Sequence, residues 1–299
     1  MTLTPAEETA ARALIELALP EDFGEFGDRT SLATIPPDKR AAAIFVARRD
    51  GVVAGLPVAK LVCDSIDPQL QFEAKSIDGD SVSPGTVLAS ITGSLRSILA
   101  AERTALNFLQ RLSGIATLTR KYVDAVAGLP VQILDTRKTT PGWRLLEKYA
   151  VRCGGGANHR IGLYDAILIK DNHIAGIAGP DPVRRSVELA RAYPGNEGLA
   201  VEVEVDSIAQ LREVLVALPE IVLLDNMAPD QLRECVELRN RLAPNTKLEA
   251  SGGVTLVTLR AIAETGVDRI SIGALTHSAP AFDIGLDHKN SAEIFLKLG

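Results

Sequence analysis

From residue 131 onward the chain alternates short apolar runs with helical stretches, and this pattern restricts the fold more than any other feature. The runs are VQILD, AILIK, VEVEV, IVLLD, KLEAS and RISIG. Between them lie PVRRSVELARAY, IAQLREVLVAL, PDQLRECVELRNRL and TLVTLRAIAET. Such alternation calls for parallel strands joined by right-handed crossovers. A repeat in the low twenties over the last units fits a β/α barrel better than an open sheet with long loops. Six strands are readable where a full barrel has eight. Either the barrel is incomplete or some strands lack a clear pattern.

The upstream part is different. Thr4, Pro5 and Glu7 form a capping box with proline at the first helical position, and Leu14, Ile15, Leu17 and Leu19 give that helix an apolar face. Short runs with turn signals follow (AAAIFVARRDG, VVAG, LQFEAKS, DGDSVSPG, VLASITG), with a helix near residues 56–66. They predict an α+β domain. A long helical stretch, residues 94–128, links the two halves, with a break expected near Gly114. Leu99, Arg103 and Leu106 are spaced i, i+4, i+7, which puts Arg103 on the apolar face, where a charge needs a partner. That partner is either a structural counter-ion or a ligand. The expected domains are residues 1–113, residues 114–274, and a C-terminal segment 275–299 that packs back on the first domain.

Composition excludes several classes. Apolar residues make up 46% and the formal charge is −6, which suits a soluble globular protein and not a generic nucleic-acid binder. No apolar run approaches the ~20 residues of a bilayer span. The acidic N-terminal helix lacks the basic start and continuous apolar core of a signal peptide. Cys63, Cys153 and Cys235 form no CxxC pair, so reduced thiols and a cytoplasmic location are expected.

Ligands of parallel β/α folds bind at the carboxyl ends of strands, and here those ends are polar. They carry Asp135-Thr136-Arg137-Lys138, Lys170-Asp171-Asn172-His173, Glu202 and Glu204, Asp225-Asn226, Ser251-Gly252-Gly253, and Gly273-Ala274. In VEVEV the valines share one face and the glutamates the other. Valine suits the helix side, so the glutamates point inward, where a carboxylate needs a cation, a hydroxyl or a metal. Glu204, nearer the strand end, is the site residue; Glu202, deeper, reads as a structural partner. Between Arg137 and Lys170 stand seven basic residues (Arg137, Lys138, Arg144, Lys148, Arg152, Arg160, Lys170) against Glu147 and Asp165, with His159 as a further donor. A solvated helix face accounts for Arg144 and Lys148 but not for Arg137, Lys138 and Lys170 at strand ends. Arginine suits bidentate carboxylate or phosphate binding, so the ligand is a compact polyanion. Ser251-Gly252-Gly253 before a helix, and Gly273-Ala274 at the next strand, suit a phosphate.

The words DTRKTTPGWRLLEKYAVRCGGGANHRIGLYDAILIKDNHI, VEVEVDS, LLDNM, LEASGGV and ISIGALTHSAPAFDIGLD, with GDRTS, DGVVAG and ERTALNFLQRLSGIAT upstream, resemble the quinolinate phosphoribosyltransferases over nearly the whole chain. The resemblance implies an α/β fold with an N-terminal α/β sandwich domain and an incomplete, open β/α barrel of seven strands. It implies a homodimer with a shared active site. It also implies the conversion of quinolinate and phosphoribosyl pyrophosphate, with Mg2+, to nicotinate mononucleotide, pyrophosphate and CO2 in NAD biosynthesis. Arg137, His159, Arg160 and Lys170 resemble the family's quinolinate-binding set, and Arg103 the arginine that reaches the pocket from the partner subunit. Lys138 and Lys170 would meet the sugar pyrophosphate. Glu204 and Asp225 would hold ribose hydroxyls, directly or through Mg2+. Ser251, Gly252, Gly253, Gly273 and Ala274 would cradle the 5′-phosphate. Asn158, Asp171, Asn172 and His173 lie in matching words without an individual role. The rival readings are a paralogue acting on another carboxylate, a Schiff-base aldolase using Lys170, and a non-catalytic polyanion-binding barrel.

Overall fold

The computed structural model describes residues 1–288. In chain order the strands are β1 (Arg40–Ala47), β2 (Gly51–Val52), β3 (Gln71–Ala74), β4 (Ser81–Val82), β5 (Val87–Ser94), β6 (Gln132–Leu134), β7 (Ile167–Ile169), β8 (Val201–Val205), β9 (Ile221–Asp225), β10 (Lys247–Ser251), β11 (Arg269–Ser271) and β12 (Ile284–His288). The chain divides into two compact units. One comprises residues 1–120, 139–155 and 275–288, the rest of the expected 275–299 segment lying outside the described residues; the other comprises 121–138 and 156–274.

In the first unit an antiparallel sheet has the order β12-β1-β5-β3, so the strand after residue 283 completes the sheet begun at residue 40. The helix Pro5–Phe23 starts as its capping box requires: the Glu7 N–H donates to Thr4 Oγ1 at 3.3 Å and the Thr4 N–H to Glu7 Oε2 at 2.8 Å. Its buried face is narrower than expected. Ala11 and Ile15 are buried and Leu17 is 72% exposed, because buried Glu7 takes up part of that face and pairs with Arg152 at 2.7 Å.

The long helix Leu95–Ala125 runs through Gly114 unbroken. Glycine serves a close approach there: a Cβ would stand 2.1 Å from the Pro280 carbonyl oxygen. Arg103 is not on the apolar face. The helix buries Ile98, Ala101, Ala105, Leu106, Phe108, Leu109 and Leu112, and Arg103 and Asn107, one turn apart, are exposed.

Residues 139–155, expected in the barrel half, cluster with the first unit. Their helix, Arg144–Cys153, carries polar groups that find partners there. Fully buried Glu147 accepts from Arg111 Nη2 at 2.5 Å, from Thr140 Oγ1 at 2.9 Å and from the Thr140 N–H at 3.1 Å. The Tyr149 hydroxyl donates to Asp78 at 2.7 Å. Asp78 also accepts the backbone N–H groups of Gly55 and Leu56 at the start of the helix Leu56–Ile66; burial nevertheless raises its pKa. Lys148 is buried, contrary to the solvated face expected of it. Arg144 is half-buried, and its Nε donates to Thr139 Oγ1 at 3.1 Å.

The second unit is a six-stranded sheet in the order β6-β11-β10-β9-β8-β7, and every pairing is parallel. The last strand therefore pairs with the first. Helices Pro182–Ala192, Ile208–Leu215, Pro229–Leu242 and Leu256–Ala263 form the crossovers. The buried valines 201, 203 and 205 of β8 share one face, as the alternation required. The expected seventh strand is reduced to one parallel bridge, Leu134 to Ala157, at the outer side of β6. Between Ala157 and β7 the described backbone forms no sheet, so the barrel is open.

Candidate active site

The carboxyl ends of the parallel strands line one cavity of about 620 Å3, within the usual range of small-molecule sites. Its walls are Thr136, Arg137 and Lys138 after β6, His159 and Arg160 after the Ala157 bridge, and Leu168 and Lys170 at β7. Glu204 of β8, Leu223, Asp225 and Asn226 at β9, Ser251, Gly252 and Gly253 at β10, and Ser271 of β11 complete them. Arg137, His159, Arg160, Lys138, Lys170, Glu204, Asp225, Ser251, Gly252 and Gly253 thus meet in one place. Gly273 and Ala274 do not line it. They follow β11 and open a four-residue helical turn, Ala274–His277. Asp171 lines an adjoining recess with Glu204, Asp206 and Asp225.

The cations are set against few anions. Lys170 Nζ is paired with Glu204 Oε2. Burial and the neighbouring Arg137 guanidinium both lower the pKa of Arg160, so two like charges stand close together. Arg160 Nη1 donates to the Ala166 carbonyl at 3.2 Å. The buried Nε atoms of Arg160 and Arg137 have no hydrogen-bond partner among the described residues. Such groups are costly unless something arrives to accept from them.

On the opposite side the chain is shaped for close approach. Gly252 and Gly253 both take left-handed φ angles, +95° and +58°, and a Cβ on Gly252 would lie 2.2 Å from Asn226 Oδ1. Asn226 itself has φ +53°, a conformation asparagine tolerates better than most residues. It is held by its N–H to the Ser251 carbonyl at 2.9 Å and by Nδ2 to Asp225 Oδ2 at 2.8 Å. This turn leads to the helix Leu256–Ala263, capped by Thr255, so backbone N–H groups and the helix start face the same region.

Beneath the cavity lies a buried cluster. His159 Nε2 is 2.9 Å from Glu202 Oε2 and 3.5 Å from Glu249 Oε1, and Arg269 Nε is 3.2 Å from Glu249 Oε2. Burial alone would lower the His159 pKa, but Glu202 and Glu249 outweigh it and the net shift is upward. Burial, with Glu202 nearby, pushes Glu249 up to about 7. Sequence reading missed Glu249, although the signal was present. In KLEAS, Leu248 and Ala250 share the helix-facing side and leave Glu249 inward, the same alternation that identified Glu202. Asn226 was noted at a strand end, but its left-handed backbone has no sequence signature of its own.

A parallel β/α sheet whose strand ends combine cations, carboxylates and a glycine turn defines an enzyme-type anion site of the open-barrel class. Comparison with known proteins narrows this. Residues 28–113 match the N-terminal domain, and residues 115–287 the C-terminal domain, of the quinolinate phosphoribosyl transferase family. A quinolinate phosphoribosyltransferase [decarboxylating] of Nicotiana tabacum is 43% identical over an alignment covering 96% of this chain and 84% of its own. A probable nicotinate-nucleotide pyrophosphorylase [carboxylating] of Synechocystis is also 43% identical, covering 90% and 89%. The solved nicotinate-nucleotide pyrophosphorylase of Francisella tularensis superposes with a TM-score of 0.86 at 37% identity, covering 94% of this chain and 96% of that one. The chain belongs to the quinolinate phosphoribosyltransferase family. The aldolase and the non-catalytic barrel fall away.

Proposed function

We propose that the strand-end cavity transfers the phosphoribosyl group of phosphoribosyl pyrophosphate to quinolinate with loss of CO2, a step of NAD biosynthesis. The carrying observation is the convergence of Arg137, Lys138, His159, Arg160 and Lys170 in one cavity, with the Nε atoms of Arg137 and Arg160 lacking acceptors among the described residues. Quinolinate brings two adjacent carboxylates whose mutual repulsion needs several cations at once. Each charge-assisted hydrogen bond contributes about 1.5–3 kcal/mol, and Arg137, Arg160 and Lys170 form a suitable set, with His159 as a wall of the same end, its ring nitrogens engaged by Glu202 and the Arg160 N–H.

The pyridine nitrogen forms its bond to the anomeric carbon as the bond to pyrophosphate breaks. Lys138 and Lys170 stabilise charge on the leaving group, and the cavity holds the two reactants in line. Ser251, Gly252 and Gly253 receive the 5′-phosphate through backbone N–H groups. Glu204 and Asp225 accept from the ribose hydroxyls. The alkylated ring is cationic and stabilises the electron pair left at C2 when CO2 departs; a proton then takes its place. The carboxylates of Glu204 and Asp225, on adjacent strands, are hard oxygen donors that fit Mg2+ directly or through water. When bound, Mg2+ neutralises charge on the pyrophosphate.

Arg103, exposed on the helix Leu95–Ala125, belongs in this reading to the cavity of a second subunit in a homodimer. No helix among the described residues is long and apolar enough to cross a membrane, and the reading places the protein in the cytoplasm. Incubation with quinolinate, phosphoribosyl pyrophosphate and Mg2+ should release nicotinate mononucleotide, pyrophosphate and CO2, with nicotinate a poor substitute. Turnover of nicotinate but not quinolinate would assign a paralogue's substrate instead. Mixing Arg103→Ala with Lys138→Ala protein should restore activity that neither has alone; no recovery would exclude the shared site.

A further inference from the structure

The segment Asn158-His159-Arg160 contributes two groups to the cavity from the one edge of the barrel that lacks a strand ladder. Only the Leu134–Ala157 bridge supports its backbone by sheet pairing. Buried carboxylates contact it as well. Asp135, fully buried, accepts the His159 N–H at 2.9 Å and Asn158 Nδ2 at 2.6 Å. Glu202 Oε2 faces His159 Nε2 at 2.9 Å, with Glu249 behind at 3.5 Å. On the other side of the ring, His159 Nδ1 accepts the Arg160 backbone N–H at 2.8 Å.

An imidazole whose Nδ1 accepts must carry its proton on Nε2, and a carboxylate against Nε2 selects that tautomer. The Arg160 guanidinium stands beside Arg137, whose charge repels it. Its place therefore depends on what holds its backbone and its Nη1. Burial of Glu202 and Glu249 is costly without a role, and Glu202 Oε1 lacks a hydrogen bond among the described residues. A metal ion is a weaker account of the three ligand atoms gathered here, because Arg269 already supplies a cation 3.2 Å from Glu249.

We infer that Glu202, backed by Glu249, is a positioning residue for the carboxylate-binding end of the cavity: it fixes the tautomer of His159, which in turn fixes Arg160 next to Arg137. This rests on the reading of the cavity as a quinolinate site. The glutamates touch no substrate; they hold the His159 ring of the binding segment, while Asp135 holds its backbone.

The test pairs kinetics with a direct view of the ring. Glu202→Leu keeps the volume and removes the acceptor; taking one partner out of a buried pair lowers stability, so kinetics are read on the folded protein. It should raise KM for quinolinate about tenfold and leave KM for phosphoribosyl pyrophosphate within twofold. Glu202→Gln, which can still accept from Nε2–H, should recover most of the loss. In 15N-histidine-labelled wild-type protein, with the His159 signals assigned by comparison with His159→Asn, the ring should be the Nε2–H tautomer. In Glu202→Leu it should be a mixture. Equal changes in both KM values, or no rescue by glutamine, would mean a merely structural carboxylate and overturn the inference. An Nδ1–H ring in the wild type overturns it without reference to activity. Failure of the wild type to use quinolinate would instead strike the functional reading, and the tautomer measurement would still decide this one.

Discussion

In the first unit Arg111 and Arg152 meet Glu147 and Glu7 at 2.5 and 2.7 Å, and Tyr149 meets Asp78 at 2.7 Å. In the second unit Arg137 and Arg160 have buried Nε atoms with no acceptor among the described residues. Arginine serves in both, and Arg152 of the first set falls in the same basic segment of the sequence as Arg137 and Arg160. The difference is completion. A network that closes on itself inside the chain fixes structure; cations gathered around a cavity are organised for something the chain does not contain. Positive charge in a sequence segment therefore does not mark a site until the structure shows which charges have already been answered.

That contrast can be broken by substitution. Arg137→Ala should lower kcat/KM for quinolinate by about 10²- to 10⁴-fold, from one or two lost charge-assisted bonds, with Tm unchanged. Calorimetric titration and thermal unfolding check the two halves, and unchanged quinolinate affinity would remove the carboxylate assignment. Glu147→Ala should do the reverse. It leaves Arg111 and Thr140 without their buried partner and should cost about 3–5 kcal/mol of stability, read by denaturant unfolding, with substrate KM values unaltered in the folded fraction. Gly114→Ala should destabilise by about 1–3 kcal/mol through the clash with Pro280, although the same exchange in an open helix would stabilise.

The smallest effect concerns pH. Glu249 is raised from an ordinary 4.5 to about 7, so between those values the folded state holds a proton that the unfolded chain has lost. Stability should therefore fall as pH rises from about 4.5 to about 7. Asp78, also raised by burial, acts with the same sign. Unfolding measured across this range should be flatter in Glu249→Gln than in the wild type, and an identical slope would show that Glu249 does not hold that proton.

Much of this arrangement is legible in the sequence because it rests on period. The six barrel strands and their crossovers follow from alternating apolar runs, and the inward glutamates of β8 from a two-residue repeat. The capping box at Thr4 is a local signature and is present as read. What escaped is non-local. Gly114 reads as a helix break, but its role is set by Pro280, far along the chain. Lys148 reads as solvated because its helix is amphipathic by pattern, whereas both faces of that helix find partners. Arg103 reads as buried from a three-residue spacing that the fuller set of buried positions on the helix overrides. The left-handed Asn226 and the buried carboxylates of the floor arise from the closing of strands distant in sequence, which periodicity does not encode.

The order of pairing has a further bearing, on how the chain is made. β6, at residues 132–134, finds its neighbour only in β11, at 269–271, and β1 acquires its outer neighbour only in β12, at 284–288. Neither sheet can be finished until nearly the whole polypeptide has left the ribosome, so each nascent half waits with an unpaired edge that invites aggregation. Such distant closures slow folding, and a premature stop near residue 265 would leave both sheets incomplete at one stroke.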